Sequence, residues 1–569
     1  MEAGKRTVND IFNGNRILEI PFFQRSYVWG EEQWERLLAD MEEVSKANKP
    51  YFLGSVILKQ QTTNTKRSVG DIRTVVDGQQ RLTTLNIFFK ILCLKNGQNS
   101  SFERVFKLIN NDIALFHNHN DIDAFNKILN LSEITSIDGN DIITKAYNYF
   151  RDNMNIEVLN FQNILTNIMF VGIDLGVNEE EQQIFDTINS LGVRLTTAEL
   201  LKNYLFGRND LESYNKNWKE VFEESTDLKE FWDREITTGR IRRNNIDLFF
   251  HSFLQIKMQD KCLKVKSDDK NTFSKVEGLF ESYKQFITKY KIDKKEIISE
   301  IKIYADLYKE FIDFSVMDRS LTNEDGLERI NAIIFGLENT TLIPYMLFVL
   351  KNVSDHSEIN RICGYLESYI MRRMICRTIN KNYNQLFSER LISNEILTKE
   401  KLEEYIDSLS DKVNYMPEDS DLNIGFHNSK LINKQTAGII YFIESKIRNY
   451  DIHSTALLGL NRYSLEHLMP KKWENHWEPV ATQEEKINRN RKLLTLGNLA
   501  IITSSLNTSI RDSSWAIKKE GKKDKKGLKH YSAGIDTLGK YLDLEVWDEK
   551  AIEERANFLH EKASHIWTT

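Results

Sequence analysis

Hydrophobic positions along the chain fall into two periods, and the change from one to the other divides the sequence. Trp34, Leu37, Leu38, Met41 and Val44 recur at helical spacing and predict an amphipathic helix. Around it, the segment Ile17 to Phe23 and the apolar, β-branched runs Phe52 to Leu58 and Thr74 to Val76 predict strands. The last two read as a pair across a polar loop holding Thr62, Thr63, Asn64 and Lys66. The polar turn Asp77-Gly78-Gln79-Gln80-Arg81 then leads into Leu82 to Leu94, where Leu85, Phe88, Phe89 and Leu92 make a helix face. From 206 to 430 the helical period dominates, as in Ile301, Tyr304, Leu307, Tyr308 and Phe311, with few strand signals and no fixed repeat. From 431 a helix (Ala437 to Ile447) precedes the strand-like pieces Ser464 to Leu468 and Leu499 to Thr503, and a closing helix carries Ile552, Arg555, Phe558, Leu559 and Ile566. The expected class is α+β, predominantly helical, in three parts: 1–205, 206–430 and 431–569.

A chain of 569 residues exceeds what one hydrophobic core sustains, in keeping with several compact units. Its 41% hydrophobic and 28% charged residues place it among ordered globular proteins. No stretch approaches the ~20 apolar residues of a membrane span, and the N-terminal residues lack the apolar core of a signal peptide, so the expectation is a cytoplasmic protein without a membrane partner. Cys93, Cys262, Cys363 and Cys376 form no CxxC pair, which points to reduced, mostly buried thiols. With a net charge of -6, attraction to nucleic acid must come from local surfaces. Arg240, Arg242 and Arg243 make one basic segment; Lys518, Lys519, Lys522, Lys523, Lys525, Lys526 and Lys529 make another. Each reads equally as a DNA contact or a solvated face.

The most informative string is Leu465-Glu466-His467-Leu468-Met469-Pro470, followed by Leu496-Gly497-Asn498-Leu499 and Ser505-Leu506-Asn507. This order resembles the HNH nucleases, and within them the C-terminal nuclease domain of GmrSD-type, modification-dependent (type IV) restriction enzymes. The likeness continues through Lys518, Trp547, Arg555 and Ile566-Trp567. It implies a ββα-metal fold embedded in helices and phosphodiester hydrolysis, which needs a base for water, a hard cation for developing charge and cations for the strand. By resemblance His467 is the general base, Glu466 and Asn507 hold Mg²⁺ (or Mn²⁺), and Asn498 pins the loop that orients the histidine. Lys518, or equally Lys519, contacts the scissile phosphate. Pro470 restricts the chain's exit from the strand. His476 and His453 are alternative bases that lack the Glu-His pairing.

A second resemblance begins at Ile20-Pro21-Phe22-Phe23-Gln24-Arg25-Ser26-Tyr27-Val28-Trp29 and continues through Asp77 to Leu85. Both strings are similar to the IPxxQRxYxW and DGQQR signatures of the GmrS-like domain, whose fold is related to the ParB/sulfiredoxin group. Phe185 to Gly192 with Leu195 to Lys202 resembles the same domain's FxxxNxxGxxL segment, although Asn189 and Gly192 equally suit a turn. A strand, polar turn and helix start gather backbone N–H groups and Arg81 where an anion is favoured. The resemblance implies nucleoside triphosphate (NTP) binding at Asp77, Gly78, Gln79, Gln80 and Arg81, with Asp77 holding nucleotide-bound Mg²⁺ or activating water and Gln79 or Gln80 positioning it. Gln24, Arg25 and Tyr27 form a companion surface, Arg25 pairing phosphate and Tyr27 offering a ring, while Phe22, Val28 and Trp29 are expected in the core. No GxxxxGK[ST] string occurs, so this turn is the place left for NTP hydrolysis.

Together the resemblances imply an NTP-dependent or NTP-regulated DNA endonuclease of anti-phage defence, acting on DNA and sensing modified DNA, with its state passed on through the helical middle; a homodimer stays open. Two other readings compete: a nucleotide-switched DNA-binding protein without cleavage, and an NTP hydrolase as the main activity. Arg372, Arg373 and Arg377 lie on one helix-like run as phosphate contacts or as ion-pair partners of Glu367 and other acids.

Overall fold

The computed structural model describes residues 2–12, 16–22, 24–61, 71–177, 197–238, 241–409, 413–430, 434–449, 451, 453, 456–522, 525–532 and 534–569. The loop at Thr62 to Lys66, Phe23, Phe185 to Gly192, Leu195, Arg240 and Lys523 therefore lie outside the described residues. The fold is α+β and mostly helical, and it divides into two compact units: Met1–Glu220 with Lys275–Lys294, and Val221–Ser274 with Lys295–Thr569. The helical middle expected as a separate part is thus built mainly into the same unit as the C-terminal segment.

The first unit is organised on a six-stranded mixed sheet in the order β1-β6-β3-β4-β2-β5. Its strands are β1 (Glu2–Thr7), β2 (Arg16–Glu19), β3 (Tyr51–Gln60), β4 (Asp71–Asp77), β5 (Leu115–Phe116) and β6 (Ile168–Leu175). β3 and β4 pair antiparallel, while β3 runs parallel to β6 and β2 parallel to β4. The helix α1 (Glu31–Ala47) buries Trp34, Leu37, Leu38, Met41 and Val44, the stripe its spacing predicts. The next helix, α2 (Gln79–Lys95), differs from expectation. It is buried on nearly every side, including Lys90, whose ammonium finds Asn99 Oδ1 at 2.7 Å. A helix enclosed by the sheet and neighbouring helices has no solvent face for periodicity to mark. Among the unit's further helices, α3 (Thr197–Leu205) and α4 (Leu279–Lys289) pack on each other.

In the second unit a short hairpin, β7 (Glu235–Thr238) and β8 (Ile241–Asn244), interrupts the helices. Arg242 there lies 3.9 Å from Glu235, and Arg243 donates to Asp247 O at 3.3 Å. The helix α5 (His356–Ile375) carries Arg372 and Arg373 of the arginine run, and Arg377 follows its end. Glu367 forms a fully buried bidentate pair with Arg329 (2.6 and 2.8 Å) and accepts from Trp567 Nε1 at 2.9 Å, and Arg372 holds Trp567 O and Asp419, so the C-terminal end of the chain is clamped to α5. Further on, α6 (Lys434–Ile447) packs across the strands β9 (Tyr463–His467) and β10 (Leu499–Thr503). After them come α7 (Ser504–Ile510), α8 (Trp515–Glu520), the small hairpin β11 (Gly521–Lys522) and β12 (Lys525–Lys526), and the closing helix α9 (Glu549–Ile566). All four cysteines are free: Cys93 and Cys363 are buried, Cys376 is half-buried and Cys262 is exposed. Among the described residues no helix is long and apolar enough to cross a membrane.

Candidate functional site

In the first unit β4 ends on Asp77, and Gly78, at φ +99°, turns the chain directly into α2. A Cβ at Gly78 would come within 2.9 Å of Val56 Cγ2, so backbone and packing both require glycine. Asp77 accepts hydrogen bonds from Ser55 Oγ at 2.8 Å and from Arg81 Nη2 at 3.0 Å, one turn along α2. The first helical bond runs from Leu82 N to Gly78 O at 2.9 Å, which leaves the N–H groups of Gln79, Gln80 and Arg81 without intrahelical acceptors.

The two glutamines tie this turn to the other N-terminal string. Gln80 accepts from Val28 N at 2.8 Å and donates to Ser26 O at 3.3 Å, while Gln79 donates to Arg25 O at 3.1 Å. The two strings, distant in sequence, are one piece of structure. Gln79 Oε1 is buried without a donor, a place for a water or a ligand hydroxyl. Arg25 is exposed. Gln24 is buried and accepts from Asn203 Nδ2 at 3.3 Å.

Two residues differ from expectation. Tyr27 is 1% exposed and its hydroxyl is spent on Thr84 Oγ1 (2.7 Å) and Trp34 Nε1 (2.8 Å), so its ring belongs to the core and faces no ligand. Val28, expected in the core, is 56% exposed, because its role is carried by its backbone N–H on Gln80. Phe22 and Trp29 are half-buried.

In the second unit β9 and β10 pair antiparallel, with Leu499 opposite His467 and Ala500 opposite Glu466, and α7 follows β10 without a break. The local order is strand, strand, helix. Side chains alternate along a strand, so Ser464 and Glu466 share one face of β9 and His467 takes the other, at the strand's end. From α7, Asn507 Nδ2 donates to Ser464 Oγ at 3.0 Å and Leu465 O at 3.1 Å. Asn507 thus joins Glu466 on its face of β9, with its Oδ1 left as an acceptor.

Asn498 is fully buried and saturated. Its Oδ1 accepts from Met469 N (2.8 Å) and Trp547 Nε1 (2.9 Å), and its Nδ2 donates to Met469 O (2.9 Å) and Leu493 O (3.0 Å), which fixes the chain just after His467. Arg555, equally buried, gathers the carbonyls of Leu496, Gly497 and Leu499. The imidazole of His467 has no hydrogen-bond partner among the described residues, and burial, then Lys471 and Lys518, push its pKa down to about 4. It is neutral at physiological pH.

Lys518 lies elsewhere than the phosphate-contact position expected of it. Its ammonium is buried, paired with Glu466 Oε1, and donates to His467 O at 2.7 Å. A side chain enclosed by its own fold is not presented to a DNA strand. Lys519 is also engaged, on Leu544 O at 3.0 Å. Exposed Lys525 and Lys526, with Tyr531, Thr503, Ser505 and Ser509, line a cleft of about 390 Å³ beside α7. Of the alternative bases, His453 is held by Asp536 at 2.7 Å and His476 is exposed. Linear reading missed Ser464 and Ser55, the hydroxyls that seat Asn507 and Asp77; both act through pairings distant in sequence, which leave no local signal.

Among the described residues no group of three or more His, Cys, Asp or Glu side chains is arranged to hold a metal ion. Glu466 and Asn507 offer one carboxylate and one carboxamide oxygen donor on a common face. Two hard oxygens fit a cation such as Mg²⁺, which keeps several waters. A carboxylate has about four lone-pair sites, so Lys518 does not exhaust Glu466.

Family models place these two centres in known company. Residues 8–206 match the N-terminal domain of the GmrSD restriction endonucleases, and residues 416–562 match the C-terminal domain of the same enzymes. No curated protein matches the chain. With both domains present in order on one polypeptide, the chain belongs to the GmrSD restriction endonuclease family.

Proposed function

We propose that this restriction endonuclease cuts DNA with a metal-dependent, HNH-type centre in its second unit, and that its first unit, a ParB/sulfiredoxin-related domain, binds and hydrolyses NTP to regulate the cut. The observation that carries the reading is the strand-strand-helix unit with Glu466 and Asn507 on one face of β9 and, at the strand's end on the other, a neutral His467 whose ring has no hydrogen-bond partner among the described residues. Glu466 and Asn507 would hold the cation, which when bound stabilises charge on the phosphate and leaving oxygen. His467 accepts the proton of the attacking water on its free ring nitrogen. Asn498 does no chemistry; through Met469 it sets where that ring lies. Lys518 acts one step back, by holding the Glu466 carboxylate and the His467 carbonyl in register. The hydroxyl-lined cleft with Lys525 and Lys526 takes the strand's phosphates.

For the first unit, the free N–H groups at the start of α2, the exposed Arg25 and the Arg81–Asp77 pair support an NTP site without a Walker loop. The setting would be cytoplasmic defence against foreign, modified DNA, where nucleotide control keeps a nuclease restrained. The test is supercoiled plasmid incubated with the full chain and Mg²⁺ or Mn²⁺, with and without NTP, beside Asp77→Ala. The reading expects NTP to change the cutting rate of the parent and leave that of Asp77→Ala unchanged; equal NTP responses in both would remove the regulatory role.

A further inference from the structure

The arginine run of α5 is divided by the structure into three different situations. Arg372 is paired with Asp419. Arg373, only 1% exposed, has no carboxylate partner among the described residues: it donates to Tyr383 Oη (3.1 Å) and to the carbonyls of Tyr415 (2.8 Å), Ile379 (2.8 Å) and Val413 (2.6 Å). Carbonyl dipoles solvate a guanidinium without cancelling its charge. Arg377 is exposed, with no acidic partner among the described residues.

Arg377 also has an unusual backbone. α5 ends in a Schellman motif, with Arg377 N on Met374 O at 3.1 Å and Thr378 N on Arg373 O at 3.0 Å. The left-handed position of that motif, ordinarily glycine, is held by Arg377 at φ +53°. A charged side chain is kept where a bare backbone is the cheaper choice.

Both arginines line one cavity of about 270 Å³, together with Lys430, Thr378, Asn380 and Gln435. Among the described residues three cations line it and no carboxylate does. The nearest acid in sequence to the wall, Glu338, lies 3.7 Å from Lys434. The negative end of the α5 dipole is near, but the last-turn carbonyls of Arg373 and Met374 are already spent on the Schellman bonds. We propose that this cavity is an oxyanion site for one phosphate group, presented by a free nucleotide or by the backbone of DNA. Guanidinium and ammonium groups with amide and hydroxyl neighbours are the donor set a phosphate takes. The volume falls just under the roughly 300 Å³ at which small-molecule pockets begin, room for a phosphate and adjoining sugar rather than a whole triphosphate nucleotide. Most of the cavity wall lies in the stretch between the two matched domains, with Lys430 and Gln435 contributed by the C-terminal one.

The test uses the full chain without divalent metal, titrated by calorimetry with inorganic pyrophosphate and, separately, with a short DNA duplex. The comparison is Arg377→Gly with Lys430→Gln; glycine suits the left-handed position, and Lys430 is exposed, so thermal unfolding should be unchanged. Lys430→Gln alone repeats the measurement if the double variant unfolds early. Charge-assisted hydrogen bonds predict at least about a tenfold loss of pyrophosphate affinity in the double variant. A loss with pyrophosphate alone identifies a free phosphorylated ligand as the source, and a loss that extends to the duplex, with a shallower salt dependence, identifies DNA. Equal affinities of parent and variants for both probes, or no binding of either probe by the parent, would overturn the proposal.

Discussion

At the scale of single residues, the candidate nuclease site rests on the buried ion pair of Glu466 and Lys518. Burial pushes the Glu466 carboxyl up and the Lys518 ammonium down, and each charge is held by the other. Removing one partner leaves an unanswered charge in the interior, which costs about 3–5 kcal/mol. Lys518→Met is therefore expected to lose that much in urea unfolding, and Lys518→Met with Glu466→Gln to recover most of it. A single variant within about 1 kcal/mol of the parent would show that the pair does not hold the site together. A second residue-scale prediction concerns acid. His117 in the first unit is 1% exposed, is bonded to Thr83 Oγ1 at 2.8 Å, and accepts from Asn118 N at 3.1 Å through Nδ1, so protonation would break that bond. Burial lowers its pKa from 6.5 to about 3. Between those values the unfolded chain binds a proton that the folded one refuses, so stability falls as pH drops through the window. Denaturation midpoints taken from neutral pH down to pH 4.5 should decline more steeply in the parent than in His117→Gln; parallel slopes would remove His117 as a cause.

At the scale of elements, the site depends on close approaches as much as on side-chain chemistry. Gly497 lies against the α9 backbone, where any Cβ would collide with Ile552 O. Gly497→Ala should push α9 away from the Leu496–Asn498 turn at a cost of about 1–3 kcal/mol, read in thermal unfolding, and slow cutting by loosening Asn498. A fully stable, fully active Gly497→Ala would refute that packing role. This scale also separates what the chain announces from what it conceals. The strand pieces 464–468 and 499–503 were legible because alternation is a local signal, and α1 was legible because one face meets solvent. α2 was misjudged as amphipathic because its environment is buried all round. Tyr27 and Lys518 were placed in ligand contact because a motif records which residues matter; that their polar ends turn inward, to Thr84 and Trp34 or to Glu466, is decided by segments far away in the chain. The Asn498 bonds to Met469 and Trp547 show the opposite case, a pinning role that the family resemblance implies and a partner at 547 that no spacing rule supplies.

At the scale of the whole molecule, each unit carries one of the two matched domains. The N-terminal match, 8–206, falls in the first unit and the C-terminal match, 416–562, in the second. The helical stretch between them, expected to be a separate part, is divided between the units, with 275–294 in the first and most of the remainder in the second. A nuclease whose support includes this much of the chain does not reduce to its motif, so the measurement belongs on the full-length protein. The most direct test is the conversion of supercoiled plasmid to nicked or linear product with Mg²⁺ by the parent and by His467→Ala, each checked for the same circular dichroism and unfolding temperature. The account predicts metal-dependent strand breaks by the parent and a loss of at least about a hundredfold in His467→Ala. Undiminished cutting by a folded His467→Ala, or an intact parent that breaks no phosphodiester with any divalent metal, would contradict it.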